Sequence, residues 1–184
     1  MLKIETLWHH LLWSALKKAE FHLTQKSLAD YFGYSLSTVN LAYRKIEDAG
    51  VNKDIKKLLY FWATHRSFKK DIIYETHVDL PILEIEGIIP AGAILGGYTA
   101  AKNILGEPPA DYSKVYFYFD EGKLDIVKKR YPQTKGNINL FVLKTYPKQI
   151  DYGNVTSLPQ TFVDIWNLSD WYAKDFVAAL ERKI

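Results

Sequence analysis

The sequence contains no cysteine among its 184 residues. Disulfide bonds, thiolate metal sites and cysteine nucleophiles are therefore excluded. The chain also lacks any uninterrupted run of about 18 apolar residues, so no segment has the composition of a membrane-spanning helix. An acidic residue, Glu5, stands where a secretory signal would need an apolar core. From these absences we expect a soluble cytoplasmic protein without a membrane partner.

The composition that remains is that of a folded protein. Hydrophobic residues make up 48% of the chain and charged residues 24%, which excludes wholesale disorder. The net charge of +3 hides an asymmetry along the sequence. Residues 1–70 carry 12 Lys and Arg against 6 Asp and Glu, whereas residues 71–184 carry 12 against 15. A basic front and a mildly acidic back indicate two parts with different partners.

Hydrophobic periodicity predicts an α+β protein in two domains. Residues 1–68 read as a helix-turn-helix, winged-helix-like domain, and residues 69–184 as a small mixed α/β domain. We expect residues 72–89 to be a strand or an extended linker, and residues 21–23 (FHL) to interrupt the first helix. Helices are predicted at 2–18, 25–32, 36–49, a fourth capped by Asn52, 98–105, 121–130, 158–168 and 170–183. Strands are predicted at 115–119 and 138–143.

The strongest motif spans residues 24–50, TQKSLADYFGYSLSTVNLAYRKIEDAG. Helix-turn-helix packing needs a small residue where the second helix crosses the first, and Ala29 meets this requirement. It needs a sharp turn four residues later, which Gly33 permits, and an inward aliphatic residue after that, which Val39 supplies. The remaining inward positions are Leu28, Phe32, Ala42 and Ile46.

The outward positions of this motif have the chemistry to meet double-stranded DNA. Asn40 matches a bidentate contact to adenine, and Arg44 matches one to guanine or a phosphate. Because helix-turn-helix readers commonly act as dimers, we also expect a homodimer. The predicted DNA-binding residues are Lys26, Ser35, Ser37, Thr38, Asn40, Arg44 and Lys45, with Lys53, Lys56 and Lys57 as further phosphate contacts.

A β-wing is harder to place. In a winged helix, a hairpin follows the second helix of the motif closely, but residues 52–66 have a helical pattern here. The wing is therefore either absent or displaced to residues 67–75.

Gly96-Gly97 before a predicted helix raises the alternative of a degenerate, nucleotidyltransferase-like nucleotide-binding protein. Such enzymes need two carboxylates one residue apart on a strand to hold metal ions. Only Asp120 stands at the end of the 115–119 strand, and Tyr118 occupies the position two before it. We therefore favour a packing turn, and we expect no enzyme activity, catalytic residue, metal site or cofactor.

A further alternative is a protein-interaction module that uses the helix pair to dock a partner. The histidines, His9, His10, His22, His65 and His77, lack partners at metal-ligand spacing and are expected to be surface or capping residues. Three tryptophans beside aliphatic neighbours, Trp62, Trp166 and Trp171, are expected in the core or at a domain interface, with base stacking as the alternative.

The helix-turn-helix is followed by residues 58–63 (LLYFWA), 70–76 (KDIIYET), 96–101 (GGYTAA), 109–112 (PADY) and 158–166 (LPQTFVDIW). Over nearly its full length the chain thereby resembles the AbiEi-type antitoxin and transcriptional regulator family of type IV toxin–antitoxin systems, in its archaeal-like form. The resemblance implies a regulator that binds inverted repeats at its own promoter. It also implies a C-terminal domain that counteracts a nucleotidyltransferase-like toxin encoded nearby, and it implies no catalytic residue.

Overall fold

The computed structural model describes residues 1–18 and 24–184. Within that part of the chain, nine α-helices surround one four-stranded mixed sheet, which confirms the predicted α+β class. The expected interruption at residues 21–23 lies outside the described residues. None of the described helices is both long enough and apolar enough to cross a lipid bilayer.

Most predicted elements are present, with ends shifted by a few residues. The helices are α1 (Lys3–Lys18), α2 (Gln25–Phe32), α3 (Leu36–Asp48), α4 (Ile55–His65), α5 (Ile82–Gly87), α6 (Gly97–Leu105), α7 (Leu124–Arg130), α8 (Leu158–Trp166) and α9 (Ala173–Glu181). The strands are β1 (Ile72–Thr76), β2 (Ile94–Gly96), β3 (Val115–Phe119) and β4 (Leu140–Lys144). The predicted helix at 121–130 begins as a 3-10 turn over Glu121–Lys123 before it continues as α7.

The sheet has the strand order β1-β4-β3-β2. β3 runs parallel to β4, and the two outer pairs are antiparallel. β3 is buried on both faces, as its aromatic composition predicts. Its Tyr116 and Tyr118 pack in the cluster that contains Phe162 of α8. Its Val115, Phe117 and Phe119 pack on the other face with α5 and α7.

The first four helices are joined to this sheet by packing. α1 lies against α3, α4 and α8. One hydrophobic cluster contains Trp8 and Trp62 from the N-terminal part of the chain. The same cluster contains Tyr118, Phe162 and Phe176 from the C-terminal part. The hydrophobic core therefore continues across the domain boundary that was predicted at residue 68.

Of the expectations about local structure, the cap of α4 is wrong, the strand or linker at 72–89 holds in part, and one of the two alternatives for the wing is removed. α4 is capped by Asp54 and not by Asn52, because the Asp54 carboxylate accepts a hydrogen bond from the Lys57 backbone at 3.0 Å. Residues 72–89 hold a strand and then a helix, α5, which begins directly after Pro81. Residues 67–75 form no displaced wing, because a 3-10 turn over Phe68–Asp71 leads into β1, which pairs with β4.

The tryptophan expectation holds for only one residue of three. Trp62 is fully buried, but Trp166 is 40% exposed and Trp171 is 74% exposed. Their aliphatic neighbours Ile165 and Ala173 point into the core instead. Trp166 ends α8 and Trp171 precedes α9, so neither side chain belongs to the buried stripe of its helix.

Gly97 provides a test of this packing. Its φ is +51°, and a Cβ atom there would lie 2.7 Å from Cδ2 of Tyr116. We expect Gly97→Ala to lower the free energy of unfolding by about 2–4 kcal/mol, since backbone strain adds to overpacking. Urea unfolding followed by circular dichroism measures the loss. Gly92→Ala is the matched control, because Gly92 also has positive φ but has open space around it. Equal losses in the two variants would contradict the overpacking argument.

Candidate nucleic-acid interface

The α2–turn–α3 segment has the packing that its sequence predicts. Ala29 is 6% exposed and Val39 is fully buried. Gly33 ends α2 in the left-handed region at φ +64°, which turns the chain sharply into α3. Thr24 caps α2 by accepting a hydrogen bond from the Ser27 backbone at 3.1 Å. The other predicted inward residues, Leu28, Phe32, Ala42 and Ile46, are all buried.

Helix α3 presents one continuous outward face. Ser37, Asn40, Leu41 and Arg44 are all exposed and lie at the spacing that places side chains on one side of a helix. Together with Leu36 and Gln25 they line a shallow groove. Leu36 is 57% exposed and Leu41 is 50% exposed, so the face combines polar groups with two aliphatic side chains.

The predicted serines and threonine do not all have the same role. Ser35 is the N-cap of α3, and its Oγ accepts a hydrogen bond from the Thr38 backbone at 3.3 Å. The Ser35 hydroxyl also lies 2.9 Å from Ser37 Oγ and 3.0 Å from Thr38 Oγ1. Ser35 and Thr38 therefore hold the end of the helix, while Ser37 faces solvent with Asn40 and Arg44.

Three predicted cations are available for a ligand. Lys26, Arg44 and Lys45 are exposed, and within residues 1–18 and 24–184 none of them makes an ion pair. Lys56 lies 3.9 Å from Glu181, and Lys57 lies 3.8 Å from Asp54. Exposed pairs of this kind contribute little, so both lysines can exchange their partner for a phosphate.

The charge along α3 is unevenly distributed. Its acids, Glu47 and Asp48, lie in the last turn, whereas its first turn has none. The N-terminal end of a helix carries free N–H groups and a partial positive charge, which favours an anion. The end of α3 that carries Ser37 and Asn40 is therefore the end better suited to a phosphate.

Helix α1 is the platform on which α3 rests. Trp8 Nε1 donates a hydrogen bond to the Ala42 carbonyl of α3 at 3.0 Å. Thr6 Oγ1 lies 3.2 Å from the hydroxyl of Tyr34 in the turn between α2 and α3. These contacts fix the side of α3 opposite Asn40 and Arg44, so the outward face has a defined orientation.

The platform is in turn fixed by a buried ionic cluster around Arg66, just beyond α4. The guanidinium contacts Glu5 of α1 at 3.3 Å, Asp71 at 2.5 Å and Asp164 of α8 at 3.2 Å. It also donates to the Tyr118 hydroxyl of β3 at 3.3 Å. Burial opposes charge on Arg66, but Tyr118 and the carboxylates raise its pKa above the ordinary value. No local pattern in the sequence indicates this cluster, because Arg66 and its partner Asp164 alone lie 98 residues apart in the chain.

The expectation that the histidines are surface or capping residues is wrong for His9 and His10. His9 is fully buried and His10 is 9% exposed. The Tyr146 hydroxyl donates to Gln160 Oε1 at 2.9 Å, so it accepts from His9 Nδ1, also at 2.9 Å. His9 Nε2 is left to accept from Ser157 Oγ at 2.6 Å. The partners of a neutral His9 thus both come from the segment between β4 and α8, where Ser157 is the N-cap of α8.

His10 lies where α2 contacts the segment that contains Asp151 and Tyr152. Its Nδ1 lies 2.8 Å from the Tyr152 hydroxyl, and its ring lies 5.0 Å from the ring of Tyr31 in α2. The Tyr31 hydroxyl donates to Asp151 at 2.8 Å. Burial lowers the pKa of His10 below its ordinary value, which favours the neutral ring in this contact.

The glycines of the alternative site, Gly96 and Gly97, pack closely against tyrosines of β3. Both glycines are buried, and a Cβ atom at Gly96 would lie 3.2 Å from the ring of Tyr118. Asp120 is exposed and accepts a hydrogen bond from the Gly122 backbone at 3.0 Å. Among the described residues, no group of three His, Asp or Glu side chains is placed to hold a metal ion. The glycine pair therefore acts as the packing turn that the sequence favours.

Comparisons of the chain with protein-family models, with curated proteins and with solved structures found no significant match.

The buried histidine makes the fold sensitive to acid. Burial, with smaller contributions from His10 and Arg66, lowers the pKa of His9 from 6.5 to about 3. The unfolded chain then binds more protons than the folded chain across this window. We expect stability to be complete above pH 6.5 and to fall below it, by at most about 1.4 kcal/mol per pH unit for this one residue.

Urea unfolding at a series of pH values measures this slope. His9→Gln keeps a hydrogen-bonding side chain without the titration, so we expect a shallower loss of stability between pH 6.5 and 4. His65→Gln, at an exposed histidine, is the matched control and should keep the slope of the original chain. An unchanged slope in His9→Gln would show that His9 is not the titrating group.

Proposed function

We propose that the chain is a DNA-binding transcriptional regulator whose α2–turn–α3 segment is a helix-turn-helix, with α3 as the recognition helix. The observation that carries this proposal is the outward face of α3. It exposes Ser37, Asn40 and Arg44 beside Lys26 and Lys45, which make no ion pair within the described residues, while its opposite face is fixed on α1.

The side chains of this face divide into base-reading and positioning groups. Asn40 offers the amide that pairs with adenine, and Arg44 the fork that pairs with guanine in the major groove. Leu41 suits the methyl group of thymine. Ser37 and the N-terminal N–H groups of α3 suit a phosphate, and Lys26 and Lys45 add cations that contribute affinity without sequence preference.

Fluorescence anisotropy with a duplex selected from a random pool tests this proposal. Arg44→Ala and Asn40→Ala should each weaken binding to the selected duplex by about 1–3 kcal/mol and relax the preference at one base pair. Lys45→Ala should weaken binding to all duplexes alike. If roughly six phosphates are contacted, affinity should fall on the order of a thousandfold between 50 and 200 mM salt.

Lys128→Ala is the matched control, because Lys128 is an exposed lysine on α7, at the opposite face of the sheet. It should leave affinity and salt dependence unchanged. Absence of any salt-dependent affinity of the full chain for duplex DNA would overturn the proposal.

A protein-docking role for the same helix pair is the second candidate, and the exposure of Leu36 and Leu41 favours it. In that case α3 would bury its two leucines in a partner. Binding would then be insensitive to salt and would survive Arg44→Ala, but it would be lost in Leu41→Ala. The same titrations therefore separate the two candidates.

The proposal extends to an autoregulating antitoxin of a type IV toxin–antitoxin system, and this extension is supported by the resemblance alone. We expect a nucleotidyltransferase-like reading frame beside the gene and growth arrest when that frame is expressed alone. Co-expression of the full chain should relieve the arrest, and Arg44→Ala should still relieve it while losing promoter binding. A neighbouring frame without toxicity would contradict this extension and leave the DNA-binding proposal standing.

A further inference from the structure

Helices α8 and α9 present an apolar groove that the proposed DNA-binding role does not use. The groove has a volume of about 480 Å³. Trp166 and Trp171 stand at its sides, 40% and 74% exposed, and Leu168 lies between them in the chain. Exposed tryptophans grouped around a groove are typical of a surface that is buried in a complex.

One face of α9 forms the wall of this groove. Lys174, Val177, Ala178 and Glu181 line it, at positions that repeat every three and four residues along the helix. The opposite side of α9 is committed to the core through residues such as Phe176 and Leu180. The four groove residues therefore form a stripe on the side of α9 that faces away from the core.

The charges of this stripe are self-complementary, so the stripe on one copy of the chain can pair with the same stripe on a second copy. If two α9 helices pair antiparallel about a two-fold axis between Val177 and Ala178, each Val177 faces an Ala178. Each Lys174 then faces a Glu181, because both pairs of positions are symmetric about the same point. Within the described residues Lys174 has no ion pair. Glu181 contacts Lys56 at 3.9 Å and the Tyr60 hydroxyl, both of α4, but its side chain is still 34% exposed and can face a second copy.

The side chains at the proposed axis also fit a close crossing. Alanine and valine are small, so two helices can approach to about 8 Å at this point. Trp171 precedes α9 and extends the apolar surface at one end of the crossing. In a two-fold dimer the two Trp171 side chains lie at the two ends of the crossing. The small residues at the centre of the interface are then flanked by an aromatic residue on each side.

From this self-complementarity we infer that a second copy of this chain occupies the groove, and that the chain forms a two-fold homodimer through antiparallel α9 helices. The interface lies on α8 and α9 and uses none of the residues of the α3 face. The inference does not depend on DNA binding, and its test contains no DNA.

Cross-linking tests the geometry directly, because the natural sequence has no cysteine. Ala178→Cys places one thiol beside the proposed axis on an exposed, small side chain. Under mild oxidation we expect a disulfide-linked dimer on non-reducing gels. Lys128→Cys, exposed on α7, is the matched control and should stay monomeric on such gels. Equal cross-linking of the two variants, or none at position 178, would overturn the proposed geometry.

Charge reversal tests the pairing of Lys174 with Glu181. Light scattering and sedimentation should show a dimer of the full chain at concentrations up to about 100 µM. Lys174→Glu and Glu181→Lys should each weaken association on the order of tenfold, since two symmetric pairs become repulsive. The double variant should recover the original affinity, because residues 174 and 181 of one helix are too far apart to pair within a chain.

Three results would overturn the inference. The first is a monomer at all these concentrations. The second is a dimer whose affinity is unchanged by both single reversals. The third is a double variant that stays as weak as the single variants while circular dichroism shows native helix content.

Discussion

The buried guanidinium of Arg66 is the interaction on which the rest of the structure depends. It joins Glu5 of α1, Asp71 before β1, Asp164 of α8 and Tyr118 of β3, so four separate parts of the chain meet at one charge. A buried ion needs its partners, because removal of one leaves an uncompensated charge in a medium of low polarity. Burial raises the pKa of Asp164 above its ordinary value, although Arg66 and Tyr118 favour the carboxylate. The cluster therefore fixes the position of α1 relative to the sheet.

The orientation of α3 follows from that position. α1 carries Glu5 into the ionic cluster and His9 into contacts with Tyr146 and Ser157, and on another side it receives α3 through Trp8. The exposed face of α3 is consequently attached to a rigid body. A recognition helix gains from such a support, because its side chains must reach base edges together and flexible supports make that ordering costly. The helix that carries the candidate interface is therefore packed, through α1, on the same core as the sheet.

The sequence was most informative where packing depends on neighbours in the chain. The positions of Ala29, Gly33 and Val39 follow from the sterics of two adjacent helices, and the alternation of Tyr116 to Phe119 follows from the period of a strand. It was least informative for residues whose partners are distant. His9 has the appearance of a surface residue until Ser157, which lies 148 residues away, is placed beside it. Trp171 was expected in the core because of its aliphatic neighbours, but Ala173 takes the inward position and Trp171 is exposed.

Taken by itself, the sequence determined the class of fold and the helix pair with its inward residues, because each of these depends on short-range spacing. Only the tertiary structure decided which charges face outward. Arg66 counts toward the basic front half, yet it is buried among carboxylates, whereas Lys26, Arg44 and Lys45 stay exposed. It also decided that Gly96 and Gly97 pack against tyrosines and that Trp166 and Trp171 remain uncovered. The physical reason is that burial depends on contacts between distant segments, and no local pattern encodes those contacts.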